Sequence, residues 1–316
     1  MQDDGGGRLA PKPAGVLILN ILLTGSDGFT GRHFADLARS AGHTVLPLKA
    51  DLADNGALQR EVLEMVPDAV VHLAAISFVG HPDNAAFYAV NVIGTMNLLA
   101  ALAQLPRIPS RVLLASSANV YGNCEAPPIA EIQAPAPVSH YAMSKLAMEH
   151  MSRTYADQLP LVITRPFNYT GAGQAVNFVI PKLVDHFARR ASSIALGNLH
   201  VEREFNDVRT VCKDYLALLQ YSEPGQTYNI CSGRPYALQQ VIETLTRISG
   251  HPIEVVVNPA FVRSNEVHRL CGSPVKLEEL FRQHGALRDD QRLEDTLRHM
   301  LVIEHQRLAQ NLQANP

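Results

Sequence analysis

The passage that most restricts the fold of this chain is a nearly continuous apolar run, Val16-Leu-Ile-Leu-Asn-Ile-Leu-Leu23, entering Thr24-Gly25-Ser-Asp-Gly28-Phe-Thr-Gly31. An apolar run of that length, stopped by glycines and followed by an amphipathic stretch at Arg32–Ala41, reads as a buried parallel strand, a tight turn and a helix. Glycines at such a bend let the backbone approach a pyrophosphate, and the helix amino terminus supplies N–H donors and partial positive charge. The glycines are spaced three and three, unlike the tighter G-x-G-x-x-G pattern.

The alternation continues downstream. Strand-like runs at Asn20–Thr24, Thr44–Leu48, Ala69–Ala75, Arg111–Ser116 and Leu161–Arg165 are separated by helical patterns at Asn55–Met65, Asn84–Gln104 and Ser139–Gln158. That order predicts an α/β doubly wound parallel sheet of the Rossmann kind. After Pro166 prolines punctuate shorter elements, including a strand at Ile253–Val257, and a smaller carboxy-terminal substrate-binding α/β domain is expected. The expected boundaries are a flexible extension over 1–18, a dinucleotide domain over 19–175 plus 206–232, and a second domain over 176–205 plus 233–316.

Composition excludes several functions. A net charge of −3 over 316 residues leaves no basic excess to neutralise nucleic-acid phosphates. The apolar run at residues 16–23 is far short of the roughly 20 residues a bilayer span needs, so no membrane association is expected. Cys124, Cys212, Cys231 and Cys271 form no CxxC pair and read as reduced thiols of a cytoplasmic protein. The histidines form no metal-binding cluster, so no metal is expected.

Two further segments carry chemistry. In Tyr141-Ala-Met-Ser-Lys145 the phenol and the ammonium share one helix face. A tyrosine with a pKa of about 10 is a poor acid–base catalyst at neutral pH, and a nearby cation would lower that value. At the end of the Arg111–Ser116 strand, Ser116-Ser117-Ala-Asn119 places hydroxyls where a sheet's carboxyl edge meets ligands. Taken singly, these are also a solvated helix face and a serine-rich turn.

These motifs in this order resemble the extended short-chain dehydrogenase/reductase family (the NAD-dependent epimerase/dehydratase group), which acts on nucleotide sugars. The likeness runs from residue 19 to about 300. It includes Val71-His72-Leu73-Ala74-Ala75, Asn91-Val-Ile-Gly-Thr95, Arg165-Pro-Phe167-Asn168 and Arg203-Glu-Phe-Asn-Asp-Val208. The resemblance implies Ser117, Tyr141 and Lys145 as catalytic residues. It implies Gly25, Gly28, Phe29, Thr30, Gly31, Arg32, Asp51, Leu52, Leu73, Ala74, Ala75, Asn91, Ser116, Tyr141, Lys145 and Phe167 around the cofactor. Ser77, Ser117, Asn119, Asn168, Asn177, Phe178, Arg203, Arg263 and Glu266 are implied around the substrate.

Finer choices follow. Family dehydratases resemble Thr-Asp-Glu where this chain has Ser117-Ala118-Asn119, and the epimerising reductases have cysteine at Asn119; neither activity fits. Leu196-Gly-Asn-Leu199 before Arg203, with Arg263-Ser-Asn-Glu266, is similar to members that modify GDP-mannose. The expected reaction is reduction of GDP-4-keto-6-deoxy-D-mannose to GDP-D-rhamnose, with an NAD-dependent 4-epimerase as the alternative and a dinucleotide-sensing scaffold as the non-enzymatic one. No carboxylate ends the second strand, and Lys49 with Arg32 would accept a 2′-phosphate, so NADP(H) is favoured over NAD(H). By resemblance, a homodimer is expected through the helices near 84–104 and 139–158.

Overall fold

The computed structural model describes residues 18–124, 128–261 and 268–314. Arg263, Glu266 and residues 1–17 of the expected extension lie outside the described residues. Strands β1 (Asn20–Thr24), β2 (Thr44–Pro47), β3 (Ala69–His72), β4 (Val112–Ala115) and β5 (Leu161–Pro166) alternate with helices α1 (Phe29–Ser40), α2 (Asn55–Met65), α3 (Asn84–Tyr88), α4 (Thr95–Leu102) and α5 (His140–Ser152). After them come β6 (Tyr169–Thr170), α6 (Val179–Ala188), β7 (Ser193–Leu196), β8 (Glu202–Arg203), β9 (Asn206–Asp207), α7 (Val208–Tyr221) and β10 (Thr227–Ile230). The chain closes with β11 (Tyr236–Ala237), α8 (Leu238–Ser249), β12 (Glu254–Val257), β13 (Arg269–Leu270), α9 (Val275–Gln283) and α10 (Leu293–Ala314).

The central sheet has six parallel strands in the order β10-β5-β4-β3-β1-β2, a Rossmann-like arrangement with helices on both faces. The direction of winding reverses between β1 and β3, so their carboxyl ends open the crevice where α/β sheets bind ligands. All four residues of β3 are buried, as a strand covered on both faces requires. Strand β10 extends the sheet beyond the five runs that hydrophobic pattern singles out. Its Thr-Tyr-Asn-Ile has too weak an apolar signal to stand out.

Two expected elements are shorter or broken. The third strand stops at His72 rather than Ala75, because the Leu73 and Ala74 N–H groups donate to Thr24 Oγ1 (3.1 and 3.0 Å) instead of a ladder. The helical pattern at 84–104 is α3 and α4 joined by a π-helical segment, Ala89–Gly94, that contains Asn91. This stretch averages a hydropathy of 1.6 over a membrane-length window, but half of it is buried within the protein.

A second, smaller core lies against α6, α8 and α10, where Leu183, Phe187, Val241, Leu245 and Leu297 pack together. Short sheets flank it: β12 parallel to β7, and β8 between β11 and β13. The Glu204 carboxylate, following β8, accepts N–H bonds from Ser232 (2.6 Å), Gly272 (2.7 Å) and the Asn206 side chain (3.1 Å). It thereby ties the end of β10 to the elements around β8 and β13.

Beneath the sheet's carboxyl edge a buried ion pair joins α5 to β5. Arg165 donates to both Glu149 oxygens, from Nε at 3.0 Å and from Nη2 at 2.6 Å, and both side chains are under 5% exposed. Ser116 Oγ also donates to Glu149 (2.5 Å), and Arg165 Nη1 donates to Tyr121 OH (3.0 Å), which donates to Asn229 Oδ1 (2.8 Å). Removing one partner strands a charge in the core. We expect Arg165→Met to lower stability by about 3–5 kcal/mol in urea unfolding; a loss below about 1 kcal/mol would show that Glu149 finds relief elsewhere.

Candidate active site

The turn after β1 is shaped by close backbone approach. Gly25 has φ +69°, and a Cβ there would stand 2.8 Å from Ala74 N; one on Gly31 would meet Gly25 O at 2.0 Å. Side chains are therefore excluded and α1 begins hard against the strand end. Helices α2, α3, α5 and α7 are capped by Asp54, Asp83, Ser139 and Asp207, whereas Gly28 gives α1 no side-chain cap. The α1 amino terminus thus keeps its N–H groups for an anion arriving in the crevice.

The side chains of the next two residues are engaged by the protein. The Phe29 ring stacks on Tyr169 (6.2 Å between centroids), and Thr30 Oγ1 pairs with Tyr169 OH at 2.9 Å. What they offer a dinucleotide is backbone. Arg32 is exposed and donates to the Asp27 carbonyl (2.5 Å), while Lys49 Nζ lies 3.7 Å from the Asp27 carboxylate. With Ser26, Arg39 and Pro47 they line an open hollow of about 280 Å³ between the turn and the tip of β2. That tip is fixed by Glu61, whose carboxylate takes the Lys49 and Ala50 N–H groups (2.8 and 2.6 Å). Asp51 is exposed and accepts from Ala53 N (2.9 Å); Leu52 packs against Gly94.

Tyr141, Lys145 and Ser117 converge at the carboxyl ends of β4 and β5, and all three are buried. Lys145 Nζ donates to the Ala115 carbonyl at 2.7 Å. Burial pulls its ammonium down to about 8, against the opposing pull of Glu149 one turn along the helix. Burial acts on Tyr141 in the other direction and pushes its phenol above the ordinary value, offset in part by hydrogen bonding from Ser117. This corrects the expectation that Lys145 depresses the tyrosine: desolvation governs the phenol, and the bond to Ala115 uses one of the ammonium's three N–H donors.

Three other residues expected around the cofactor have side chains engaged within the protein. The Phe167 ring is 1% exposed and enclosed by Tyr121, Cys231 and Gly272. Ser116 is buried on Glu149. The Asn91 amide is consumed by Ile76, taking its N–H at 2.9 Å and giving to its carbonyl at 3.2 Å, and by Ser144 Oγ at 3.0 Å. Leu73, Ala74 and Ala75 are half-buried along the turn.

On the substrate side, Ser77 is exposed and Asn119 is half-buried, its N–H donating to Ser117 Oγ (3.1 Å). Asn168 and Asn177 are exposed, and the Asn168 carbonyl accepts from Asn206 N (2.9 Å). Arg203 is half-buried and donates to the Glu202 carbonyl (2.9 Å). Phe178, at the start of α6, meets Phe78 edge-on at 6.0 Å, so the loop after β3 crosses to the second core. Sequence reasoning missed Glu149, Glu61, Tyr169 and Phe78. Glu149 alone had a local signal, since it lies one turn beyond Lys145 on the same helix face.

The lowered Lys145 value gives a signed pH effect. In the free protein the ammonium is present below about 8 and lost above it. If it holds a dinucleotide, kcat/KM for that cofactor should fall as pH rises through this range; a flat profile would mean the charge takes no part in binding.

The profile of the GDP-mannose 4,6 dehydratase family matches residues 46–282. GDP-6-deoxy-D-talose 4-dehydrogenase of Aggregatibacter actinomycetemcomitans is 37% identical over 82% of this chain and 90% of its own length. GDP-6-deoxy-D-mannose reductase of Pseudomonas aeruginosa is 36% identical over 82% of this chain and 90% of its own. Among solved structures, a putative epimerase from Burkholderia cenocepacia is 44% identical, with TM-score 0.84 over 91% of this chain and 98% of that one. The RMD structure from Pseudomonas aeruginosa, complexed with NADPH, is 31% identical, with TM-score 0.83 over 92% of this chain and 99% of that one.

Proposed function

This chain belongs to the extended short-chain dehydrogenase/reductase family, within its GDP-mannose 4,6 dehydratase group, and on that premise we propose that it reduces the C4 keto group of GDP-4-keto-6-deoxy-D-mannose with NADPH. The observation that carries the proposal is the buried Tyr141–Ser117 pair beside Lys145 at the sheet's carboxyl edge. Both relatives named above are a dehydrogenase or reductase of a GDP-linked 6-deoxyhexose. Dehydration is disfavoured because Ala118 and Asn119 supply neither acid nor base beside Ser117.

The nicotinamide, when bound, supplies the hydride. This chain's residues do the rest. Tyr141 holds a proton at its phenol and delivers it to the sugar O4, and burial keeps that phenol protonated at neutral pH. Ser117 donates a hydrogen bond to the same oxygen and stabilises the charge that develops there. Lys145 holds the nicotinamide ribose. Asn119, Asn168, Asn177, Phe178, Ser77 and Arg203 would hold the nucleotide sugar, the guanidinium being suited to a diphosphate; Arg263 and Glu266 join them by resemblance. Residues 19–175 with 206–232 would form the dinucleotide half and the remainder the sugar half. The exposed Ile93 (50%) and Met143 (44%), on the π segment and on α5, suit a homodimer through these helices.

Three experiments test this. Purified protein should oxidise NADPH stoichiometrically with the 4-keto sugar, followed by ultraviolet absorbance, and product NMR would assign D-rhamnose or D-talose from the C4 configuration. Interconversion of nucleotide hexoses without net cofactor use would favour a 4-epimerase instead. Tyr141→Phe should lower kcat by about 10²–10⁴-fold while NADPH still binds; near-wild-type turnover would refute the tyrosine's role. For coenzyme choice, Arg32→Ala with Lys49→Ala should cut kcat/KM for NADPH about tenfold and spare NADH. An equal loss with both coenzymes would place these cations away from the 2′-phosphate.

A further inference from the structure

His72 has no part in the chemistry proposed above, yet hydrogen bonds run through it from the dinucleotide turn to the helix of Tyr141. Thr24 and His72 are register partners on β1 and β3, so their side chains leave the same face of the sheet. Thr24 Oγ1 already accepts the Leu73 and Ala74 N–H groups, and its own proton goes to His72 Nδ1 at 2.7 Å. On the other side Thr95 Oγ1 gives its proton to the Asn91 carbonyl at 2.8 Å, so it accepts from His72 Nε2, also at 2.8 Å. Both ends demand one tautomer: Nδ1 bare and Nε2 protonated.

Beyond Asn91 the run continues. The Asn91 amide donates to Ser144 Oγ (3.0 Å), and Ser144 Oγ donates to the Tyr141 carbonyl (2.8 Å). Asn91 lies in the π-helical segment. There the Thr95 N–H bonds Val92, leaving the Thr95 hydroxyl to take the Asn91 carbonyl. The ring is 3% exposed, and burial with the neighbouring Lys145 charge holds it neutral, its pKa drawn down to about 3. From Thr24 through His72 to Thr95 every donor points the same way, an arrangement in which each bond strengthens the next, and at Asn91 the run passes from the backbone carbonyl to the side-chain amide.

We propose that His72 is a positioning residue: a rigid spacer that sets the distance between the dinucleotide turn and the helix bearing Tyr141, and so aligns hydride donor and proton donor on one substrate carbon–oxygen bond. The imidazole suits this because it fixes an acceptor near Cβ and a donor on its far side in one plane. The inference rests on the function proposed above, in which the turn holds a dinucleotide and Tyr141 supplies the proton.

Each end can be cut separately. His72→Asn keeps an acceptor for Thr24 and loses the reach to Thr95; His72→Gln reaches Thr95 and loses the acceptor at Nδ1. We expect the asparagine variant to keep KM for NADPH within about twofold and lose about tenfold in kcat. The glutamine variant should show the reverse, KM raised about tenfold with kcat largely kept. Equal losses in both parameters for both variants, or none, would overturn the proposal and leave His72 a core residue. If these variants do not fold, Thr95→Val severs the same link with a side chain of the same shape. A fall in kcat at unchanged KM then supports the proposal, and unchanged kcat overturns it. In the unmodified protein, ¹⁵N-imidazole NMR should show the Nε2–H tautomer at His72, and the opposite tautomer would break the run at both ends. Failure of the unmodified enzyme to oxidise NADPH would instead refute the proposed function, while the tautomer could still be read independently.

Discussion

A parallel sheet covered by helices on both faces has no solvated side on which polar residues can rest. Polar side chains in such a sheet gather where the strands end, and there they must satisfy one another or face a ligand. Here Thr24, His72, Ser116, Ser117, Thr164, Arg165 and Asn229 all lie buried at or beside the carboxyl ends of β1, β3, β4, β5 and β10. Most are bonded among themselves: Thr24 through His72 to Thr95, and Ser116 with Arg165 on Glu149. Ser117 and Tyr141 are likewise buried and are hydrogen-bonded to each other beside this paired framework.

The same desolvation sets the two ionisable groups of that site in opposite directions. It disfavours charge on both, so the phenol of Tyr141 keeps its proton more firmly and the ammonium of Lys145 gives its proton up more easily. A group that must donate a proton to an alkoxide benefits from the first effect. The second is checked by Glu149, itself anchored by Arg165, so the ion pair under the sheet steadies the lysine's charge as well as the fold. Stability and chemistry share this residue because α5 carries Tyr141, Lys145 and Glu149 in succession along one side.

The degree to which these features could be read from sequence follows how local their causes are. The Gly25 to Gly31 turn was legible because its backbone conformation needs glycine whatever surrounds it. Strands β1 to β5 were legible from apolar runs, and Tyr141 with Lys145 from helical spacing. That the side chains of Phe167 and Ser116 are taken up within the protein was not legible, because sequence places a residue at a strand end but does not say which way its side chain turns. Phe167 is enclosed by Gly272 and Cys231, and Ser116 by Glu149, all distant in the chain. Glu61 and Tyr169 had no local signal for the same reason.

What the sequence by itself determined is the class of fold and two local motifs: a strand–turn–helix opening that admits an anion, and a tyrosine and a lysine on one helix face. Local propensity and periodicity suffice for these, since each depends on residues within a turn or two of one another. Only the tertiary structure decided which polar groups were left for a ligand and how strongly each holds its proton. Those outcomes depend on burial and on partners such as Thr24 and His72, or Glu149 and Arg165, that the chain separates and the sheet's register brings together.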